Sequence, residues 1–504
     1  MRKDWFGTGA SIMFQSIVEA IFYHAACAPD SLFAADSTVS FCYRQAKNAV
    51  LRAASEMALL GVRSGDRVIV ECTQNAAYCI CQQAIALLGA VFVPYERKTT
   101  AERLSEIISE SGAVCQAAVR QTVPGLSFFP ISSITPDAEL CDFPYHFPKA
   151  TQRSELLYST GTTGKAKGID ITHGNNVALA NNVASGVGME PGNVEIVPVS
   201  LSHSHGLRTL YANFLHGNSV VISSGVTFLK PFFSLMERYQ VNAMDLVPSA
   251  WRILRQHGAS QLEVFRKQIR YVQLGSAPLT EDDKQSLREL LPYSRLYNFY
   301  GSTESGRTCT YDFAAHADKI NCIGKPVSRV EVLVVDSAHR VLPVSSVENT
   351  GYLAFRGPMN MSGYWKNPDL TASVMKDGTF YTRDVGYIDP EGWVYLLGRD
   401  DDIINFGGVK INPVDIEEAA MKCPGVVDCG CVGHEDPVSG HAPWLFVALE
   451  PGCDLSADDV GAWLSRNIDR EKMPKRVIEL SQIPRTFNGK LLRRKLLETE
   501  DAAV

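Results

Sequence analysis

The sequence predicts an α/β fold followed by a small α+β domain, and three observations carry that reading. Strand-like apolar runs alternate with helical patterns through the first four fifths of the chain, a later stretch carries strands without long helices between them, and the character changes again after GRDDD at 398–402. Alternation of this kind argues for largely parallel sheets. At 504 residues the chain also exceeds the size at which one core stops growing, so two or more domains are expected.

Taken in order, Arg2 and Lys3 precede an apolar stretch that ends in HAACA, but Gln15, Ser16, Glu19 and His24 interrupt it. An amphipathic helix fits that pattern better than a signal peptide. DRVIVEC (66–72) reads as a strand before a helix that starts at Asn75, and AVFVP (90–94) as a strand before the helical TTAERLSEIISESG. Residues 121–150, rich in Pro, Ser and Thr, read as connection rather than core. EVLVVD (331–336), GYLAFRG (351–357) and GWVYLLG (392–398) suggest a β-rich subdomain. Beyond it come a helix near 413–422, strands VVDCGCVG and PWLFVALE, a helix from 457 and a basic C-terminal segment. The domain boundary is placed at Asp401, which gives an N-terminal domain of 1–400 and a C-terminal domain of 401–504.

Composition narrows the function. A hydrophobic content of 45%, a charged content of 20% and a net charge of -7 describe a soluble globular chain with no general attraction for nucleic acid or anionic membrane. The apolar run AIALLGAVFVP at 84–94 is far shorter than a membrane span, which needs about 20 residues. The 13 cysteines show C-x-C spacings at Cys79/Cys81 and Cys429/Cys431, not paired C-x-x-C zinc spacing. Reduced, mostly buried thiols in a cytoplasmic protein are expected.

The stretch YSTGTTGKAKG (158–168) combines glycines, hydroxyls and lysines, a composition suited to surrounding a polyphosphate. It is not a Walker A loop: Gly161 and Gly164 are separated by two residues, and Lys165 is followed by Ala166. Its companions are SHSHGL (202–207), LGSAPL (274–279), NFYGSTES (298–305), YTRDVGYID (381–389), GRDDDIINFGGVKINPVDIE (398–417) and PRTFNGKLLRRKL (484–496). In this order and spacing the set resembles the adenylate-forming, AMP-binding superfamily of acyl-CoA synthetases, firefly luciferases and peptide-synthetase adenylation domains, from about residue 37 to the C-terminus.

The resemblance implies a large N-terminal domain of two α/β sheet subdomains plus the β-rich subdomain, with a small mobile C-terminal lid. It also implies a reaction: a carboxylate attacks the α-phosphate of ATP, pyrophosphate leaves, and a thiol or amine then attacks the acyl adenylate. Catalysis of this kind rests on positioning and charge neutralisation. Ser159, Thr160, Thr162, Thr163 and Lys167 would wrap the β- and γ-phosphates, with Gly161, Gly164 and Gly168 allowing close approach; Ala166 stands where most relatives have proline. Tyr300 would stack on adenine, with Gly301 beside it in the same motif; Thr303 would bond the α-phosphate and Glu304 would ligate Mg²⁺. Gly275, Ser276 and Ala277 match the adenine-contacting strand end, although Ser276 replaces a frequent glycine and could narrow the acyl pocket. Asp384 would accept both ribose hydroxyls, with Arg399 beside it.

Lys490 matches the family's catalytic lysine, which bridges carboxylate and α-phosphate oxygens as a compact point charge. Asp401 matches the hinge of the lid, and Phe406, Gly407 and Gly408 the face that admits the pantetheine arm of CoA. His203 falls where the family often adjoins the acyl carboxylate and the thiol tunnel. Should His205 and Arg208 also face the pocket, they would favour a polar or second-carboxylate substrate.

The reading is an ATP-dependent acid–thiol ligase, an acyl-CoA or aryl-CoA synthetase with CoA as co-substrate. Its rival is a stand-alone adenylating enzyme that passes the acyl group to an external carrier protein or to an amine. An α-amino acid substrate is disfavoured, because LSHSHG occupies the place of the F-D-x-S amine anchor. The chain ends soon after Lys490, so no fused carrier domain is expected. A binding-only relative should have lost a catalytic group, yet Thr163, Lys167, Glu304, Asp384, Arg399 and Lys490 are all present.

Overall fold

The computed structural model describes residues 13–159, 167–400, 402–406, 409–437, 440–485 and 491–498. Two large sheets and the helices between them form the N-terminal part, and a five-stranded sheet organises the C-terminal part.

The smaller N-terminal sheet has seven strands, ordered Gly363–Tyr364, Lys167–Thr172, Arg153–Ser159, Val91–Tyr95, Arg67–Glu71, Cys115–Ala118 and Ser127–Pro130. Its central strands are parallel, and every residue of Val91–Tyr95 is buried, as expected of a strand covered on both faces. Ser127–Pro130 falls within the stretch expected to be pure connection. That stretch instead supplies the sheet's edge strand and buries Phe129, Ile131 and Ile134, because three apolar residues within six give it a face to bury.

The larger sheet has fourteen strands. Its parallel part runs through Leu32–Ala35, Ser219–Ile222, Val194–Val197, Ala243–Leu246, Tyr271–Leu274 and Arg295–Ser302. Gly306–Asp312 then turns back antiparallel, and Cys322–Pro326 pairs with it on one side and with Val394–Arg399 on the other. The β-rich region therefore continues the larger sheet. Pairing through Cys322–Pro326 removes the open edge that Gly306–Asp312 would otherwise present.

Local signals start and stop the helices as expected. Asn75 caps Ala76–Leu87 by accepting from the Tyr78 N–H, and all residues of that helix are buried. Thr100 caps Ala101–Ser111, which ends on left-handed Gly112. The N-terminal helix, Ile17–Cys27, is capped by Ser16 and buries Ile17, Val18, Ala20, Ile21, Phe22, His24 and Ala25. Together with Tyr43–Leu59, Ala76–Leu87, His173–Gly186 and Ser204–Leu215 it shares one core with strands of both sheets.

The chain leaves the larger sheet at Arg399 and enters the C-terminal sheet at Ile404. There Val426–Asp436 and Gly440–Leu449 form the central antiparallel pair, backed by helices Pro413–Ala420 and Ala457–Asn467. All 13 cysteines are free, and among the described residues no helix is long and apolar enough to cross a membrane.

Candidate active site

The candidate residues gather where the C-terminal ends of the parallel strands meet the N-terminus of helix Ser204–Leu215, the usual ligand position in open α/β sheets. Strands Arg153–Ser159 and Lys167–Thr172 are antiparallel with Ser159 opposite Lys167, so the two ends of the glycine-rich segment are held side by side. Thr160, Gly161, Thr162, Thr163 and Gly164 lie outside the described residues, as do the Ser159 side chain, Asp401, Gly407, Gly408 and Lys490.

Glu304 sits in the turn between Arg295–Ser302 and Gly306–Asp312. Its carboxylate accepts from the Tyr364 hydroxyl at 3.1 Å, and its backbone carbonyl accepts from the Met361 N–H at 2.7 Å. Tyr364 belongs to the strand paired with Lys167–Thr172, and the Lys167 ammonium lies 5.9 Å from its ring centroid. One aromatic ring thus links the end of the glycine-rich segment to Glu304. Burial, and then the neighbouring carboxylate, push the Tyr364 phenol above its ordinary acidity range, so it stays a donor. The Thr303 hydroxyl lies 3.2 Å from that of Ser204, the first residue of its helix. Open N–H groups and the helix dipole favour an anion there. Among the described residues no cluster of three or more potential metal ligands occurs. A single carboxylate at this point suits Mg²⁺, a hard cation that takes most of its ligands from phosphate and water.

The second group forms across the sheet. Asp384 lies directly opposite Arg399 in the antiparallel register, and the Tyr300 hydroxyl donates to the Asp384 carboxylate. Burial, with Asp384 as the next cause, pushes the Tyr300 phenol well up, while the Arg399 charge acts in the opposite direction. Gly301 makes this placement possible: a Cβ there would lie 1.8 Å from the Gly306 carbonyl oxygen, so only glycine admits the irregular step after Tyr300.

His203 occupies the N-cap position of Ser204–Leu215 without capping it by its side chain. Its ring is 44% exposed and its Nε2 lies 3.2 Å from Glu96. Glu96 also accepts from the hydroxyls of Ser200, at 2.6 Å, and Ser202. Burial alone would raise Glu96, but hydrogen bonds from His203, Ser200 and Ser202 outweigh it and bring its carboxyl to about 2. Glu96 escaped the motif reading. The available signal was an acid at the C-terminal end of a fully apolar strand, VFVPY.

Gly275 has no room for a side chain, since a Cβ would meet the Phe299 ring at 2.3 Å. Ser276 adopts the left-handed conformation, φ +69°, and it and Ala277 face the open side of the strand end. His205 lies beside it, with Nδ1 at 2.8 Å from the Ser276 hydroxyl. Arg208 does not share that surroundings. Its guanidinium forms an ion pair with fully buried Glu155 at 2.5 Å and donates to Asn176 at 2.8 Å, so the condition that both His205 and Arg208 face one pocket is not met. On a helix the residue three positions after His205 is turned away from the residue four positions after it, and here Thr209 takes the His205 side while Arg208 locks onto the other sheet. Phe406 ends strand Ile404–Phe406, opposite Val409, and packs against the core of the C-terminal sheet.

The profile of the AMP-binding enzyme family matches residues 21–365, and that of the AMP-binding enzyme C-terminal domain matches 415–490. Among curated relatives, a 2-succinylbenzoate–CoA ligase of Geobacillus sp. (strain WCH70) is 25% identical over 496 residues, covering 96% of this chain and 98% of the relative. A feruloyl-CoA synthase of Amycolatopsis sp. is 28% identical over 460 residues, covering 90% and 92%. ATP-bound MatB from Rhodopseudomonas palustris superposes with a TM-score of 0.87 over 97% of this chain and 100% of that one, at 23% identity. The o-succinylbenzoate CoA synthetase of Bacillus subtilis with its acyl-adenylate intermediate gives 0.84 over 95% and 97%, also at 23%. At such identity the structural likeness speaks for the fold, and the family rests on the sequence profile, whose first match alone spans more than half the chain: this protein is a member of the AMP-binding enzyme family.

Proposed function

We propose that the chain activates a carboxylic acid with ATP and transfers the acyl group to CoA, as an acyl-CoA or aryl-CoA ligase. The observation that carries it is that the strand Arg295–Ser302 and its turn join two groups, Lys167, Tyr364 and Glu304 in one and Tyr300, Asp384 and Arg399 in the other. One group suits a triphosphate and the other a ribose and base. Family membership and the names of the curated relatives, CoA ligases of aryl and succinyl-aryl acids, support the same reading.

In the first step the acid's carboxylate oxygen forms a bond to the α-phosphorus while the bond to pyrophosphate breaks. Asp384 accepts from the ribose hydroxyls, Tyr300 lies against the base, and Gly275–Ala277 border it. Thr303 donates to the α-phosphate at the helix N-terminus. Ser159, Thr160, Thr162, Thr163 and Lys167 embrace the departing phosphates. Mg²⁺, when held by the phosphates and Glu304, offsets their charge. Lys490 supplies the point charge between carboxylate and α-phosphate. In the second step the CoA sulfur bonds the acyl carbon and AMP leaves with its electron pair. Asp401 is the hinge in this scheme, Phe406 to Gly408 form the entry for pantetheine, and His203 stands beside the acyl carbon, its ring steadied by Glu96. Domains of 1–400 and 401–504 and a cytoplasmic location belong to the same proposal, and thirteen unpaired thiols agree with a reducing compartment.

The test is acid-dependent pyrophosphate release with Mg·ATP across short, medium, aryl and dicarboxylic acids, with and without CoA. A thioester formed only when CoA is present is the expected result. Adenylate formation without any thioester would move the assignment to a carrier protein or an amine as acceptor.

A further inference from the structure

Behind the strand end at Ser276 lies a buried polar seam that the ligase reading does not use. His205, Thr209 and Asn213 follow one another at four-residue spacing on helix Ser204–Leu215 and face three neighbouring strands that carry Glu195, Asp245 and Gln273. Asp245 is fully buried and accepts from the Thr209 hydroxyl at 2.7 Å; its other oxygen lies 2.7 Å from His205 Nε2. The second ring nitrogen of His205, Nδ1, lies 2.8 Å from the hydroxyl of Ser276. Ser276 itself is exposed, although the ring that holds it is only 8% exposed.

This chain has a direction. A carboxylate can only accept, so the proton of a neutral His205 ring belongs on Nε2, facing Asp245. Nδ1 is then an acceptor, and the Ser276 hydroxyl spends its hydrogen on it. What Ser276 turns to the open side is a pair of lone electron pairs, held by a serine in a conformation that favours glycine. The face to which it belongs follows from strand alternation. His205 packs edge-on against Phe299, with centroids 4.8 Å apart, whereas Tyr300, the next residue, points to the opposite face and to Asp384. The relay opens on the side away from the ribose group.

We propose that Asp245 and His205 are positioning residues that hold the Ser276 hydroxyl as a fixed hydrogen-bond acceptor at the acyl end of the site, so that the enzyme selects carboxylic acids carrying a hydrogen-bond donor such as a hydroxyl or phenol. The substrate half of this rests on the ligase reading above; the orientation of the relay does not. The remaining charged groups of the seam are Arg307 and Glu195. The Arg307 guanidinium is buried over Phe299, 3.8 Å from the ring centroid, and its charge acts on both acids. Glu195 accepts from Asn213, Gln273 and Tyr271 and is the acid pushed up, by burial and then by Asp245, to about 7.

Two measurements test it. With ¹⁵N-labelled histidine, and His205→Gln to assign the signal, the ring nitrogens of His205 should report a neutral Nε2–H tautomer near pH 7.5; an Nδ1–H tautomer overturns the relay. In turnover, paired acids differing by a hydroxyl against its methyl ether should differ about tenfold in kcat/KM, the scale of one hydrogen bond. Ser276→Ala and Asp245→Asn should bring that ratio towards one. A ratio unchanged in both variants overturns the selection, as does a raised KM for ATP with the ratio intact, which would put the hydroxyl on the nucleotide. Ser276 is exposed, so its variant stays informative should the Asp245 variant fold poorly. Wild-type enzyme that releases pyrophosphate with no acid overturns the ligase reading and the selection with it, and the tautomer still decides the relay.

Discussion

Glu96, which follows the strand Val91–Tyr95, and Glu195, within the strand Val194–Val197, both bear on the helix Ser204–Leu215 or its cap, yet their carboxyls lie far apart in acidity. Burial alone would raise Glu96, but His203, Ser200 and Ser202 aim donors at it and bring it to about 2. At Glu195 burial wins, Asp245 adds like charge, and donors from Asn213, Gln273 and Tyr271 do not offset them, so its carboxyl is pushed up to about 7. Glu96 is part of an open rim that can call on solvent; Glu195 lies in a seam with none. The comparison teaches that the count of donors does not set a carboxyl's charge. Three polar partners suffice where water still reaches the site and fail where a second acid shares a dry one.

The largest effect that would sharpen this contrast belongs to the buried side. Arg208→Ala leaves buried Glu155 without its guanidinium, with the Tyr211 hydroxyl still donating to it, and should cost about 3–5 kcal/mol of stability in urea unfolding. Replacing both partners by apolar residues of similar volume should recover most of that loss, and a double variant as unstable as the single one would show that packing, not charge, is at stake. On the open side, Glu304→Gln should leave stability within about 0.5 kcal/mol. Its apparent affinity for Mg²⁺ in pyrophosphate release should fall about 10–100-fold. A large loss of stability in this variant would break the comparison.

The two acids also predict opposite responses to pH. The folded-state value of Glu195 lies above its unfolded value of about 4.3. Its contribution is therefore complete below that value and lost as the pH rises through about 7. Glu195→Gln should remove this decline, so that the variant gains on wild type in Tm between pH 5 and 8, roughly the interval between the two values. Glu96 is depressed, so its contribution is present above about 4.3 and lost as the pH falls. Glu96→Gln should flatten the acid limb of the Tm curve, and by a smaller amount, since the group is one third exposed. Shifts of the same sign in both variants would refute the environments assigned to them.

Much of the site was readable in the sequence because its motifs are local. NFYGSTES holds Tyr300, Thr303 and Glu304 within one short stretch, and YTRDVG and GRDDD single out Asp384 and Arg399, which the structure sets opposite each other on neighbouring antiparallel strands. Asn75, Thr100 and Gly112 mark helix ends through backbone geometry that needs no distant partner. The side to which Arg208 turns was not readable, for the opposite reason. SHSHGLR shows that an arginine follows the histidines but not which face of the helix looks at which sheet. Tyr364 and Glu96 carry no motif: the sheet's edge strand brings the first to the site, and the C-terminal end of an interior strand the second.

By itself, then, the sequence determined the alternation of strands and helices, the family, and the kinds of hydroxyl, carboxylate and basic group that its motifs carry. Those properties follow from residue type and short-range spacing. The tertiary structure decided the pairings: Arg208 with Glu155, His203 with Glu96, and Ser276 with His205 and Asp245. These partners lie tens of residues apart, and a side chain between two sheets meets whatever the strand order sets opposite it. In a buried seam the cost of an unpaired polar atom then selects one hydrogen-bond arrangement from the many that the composition allows.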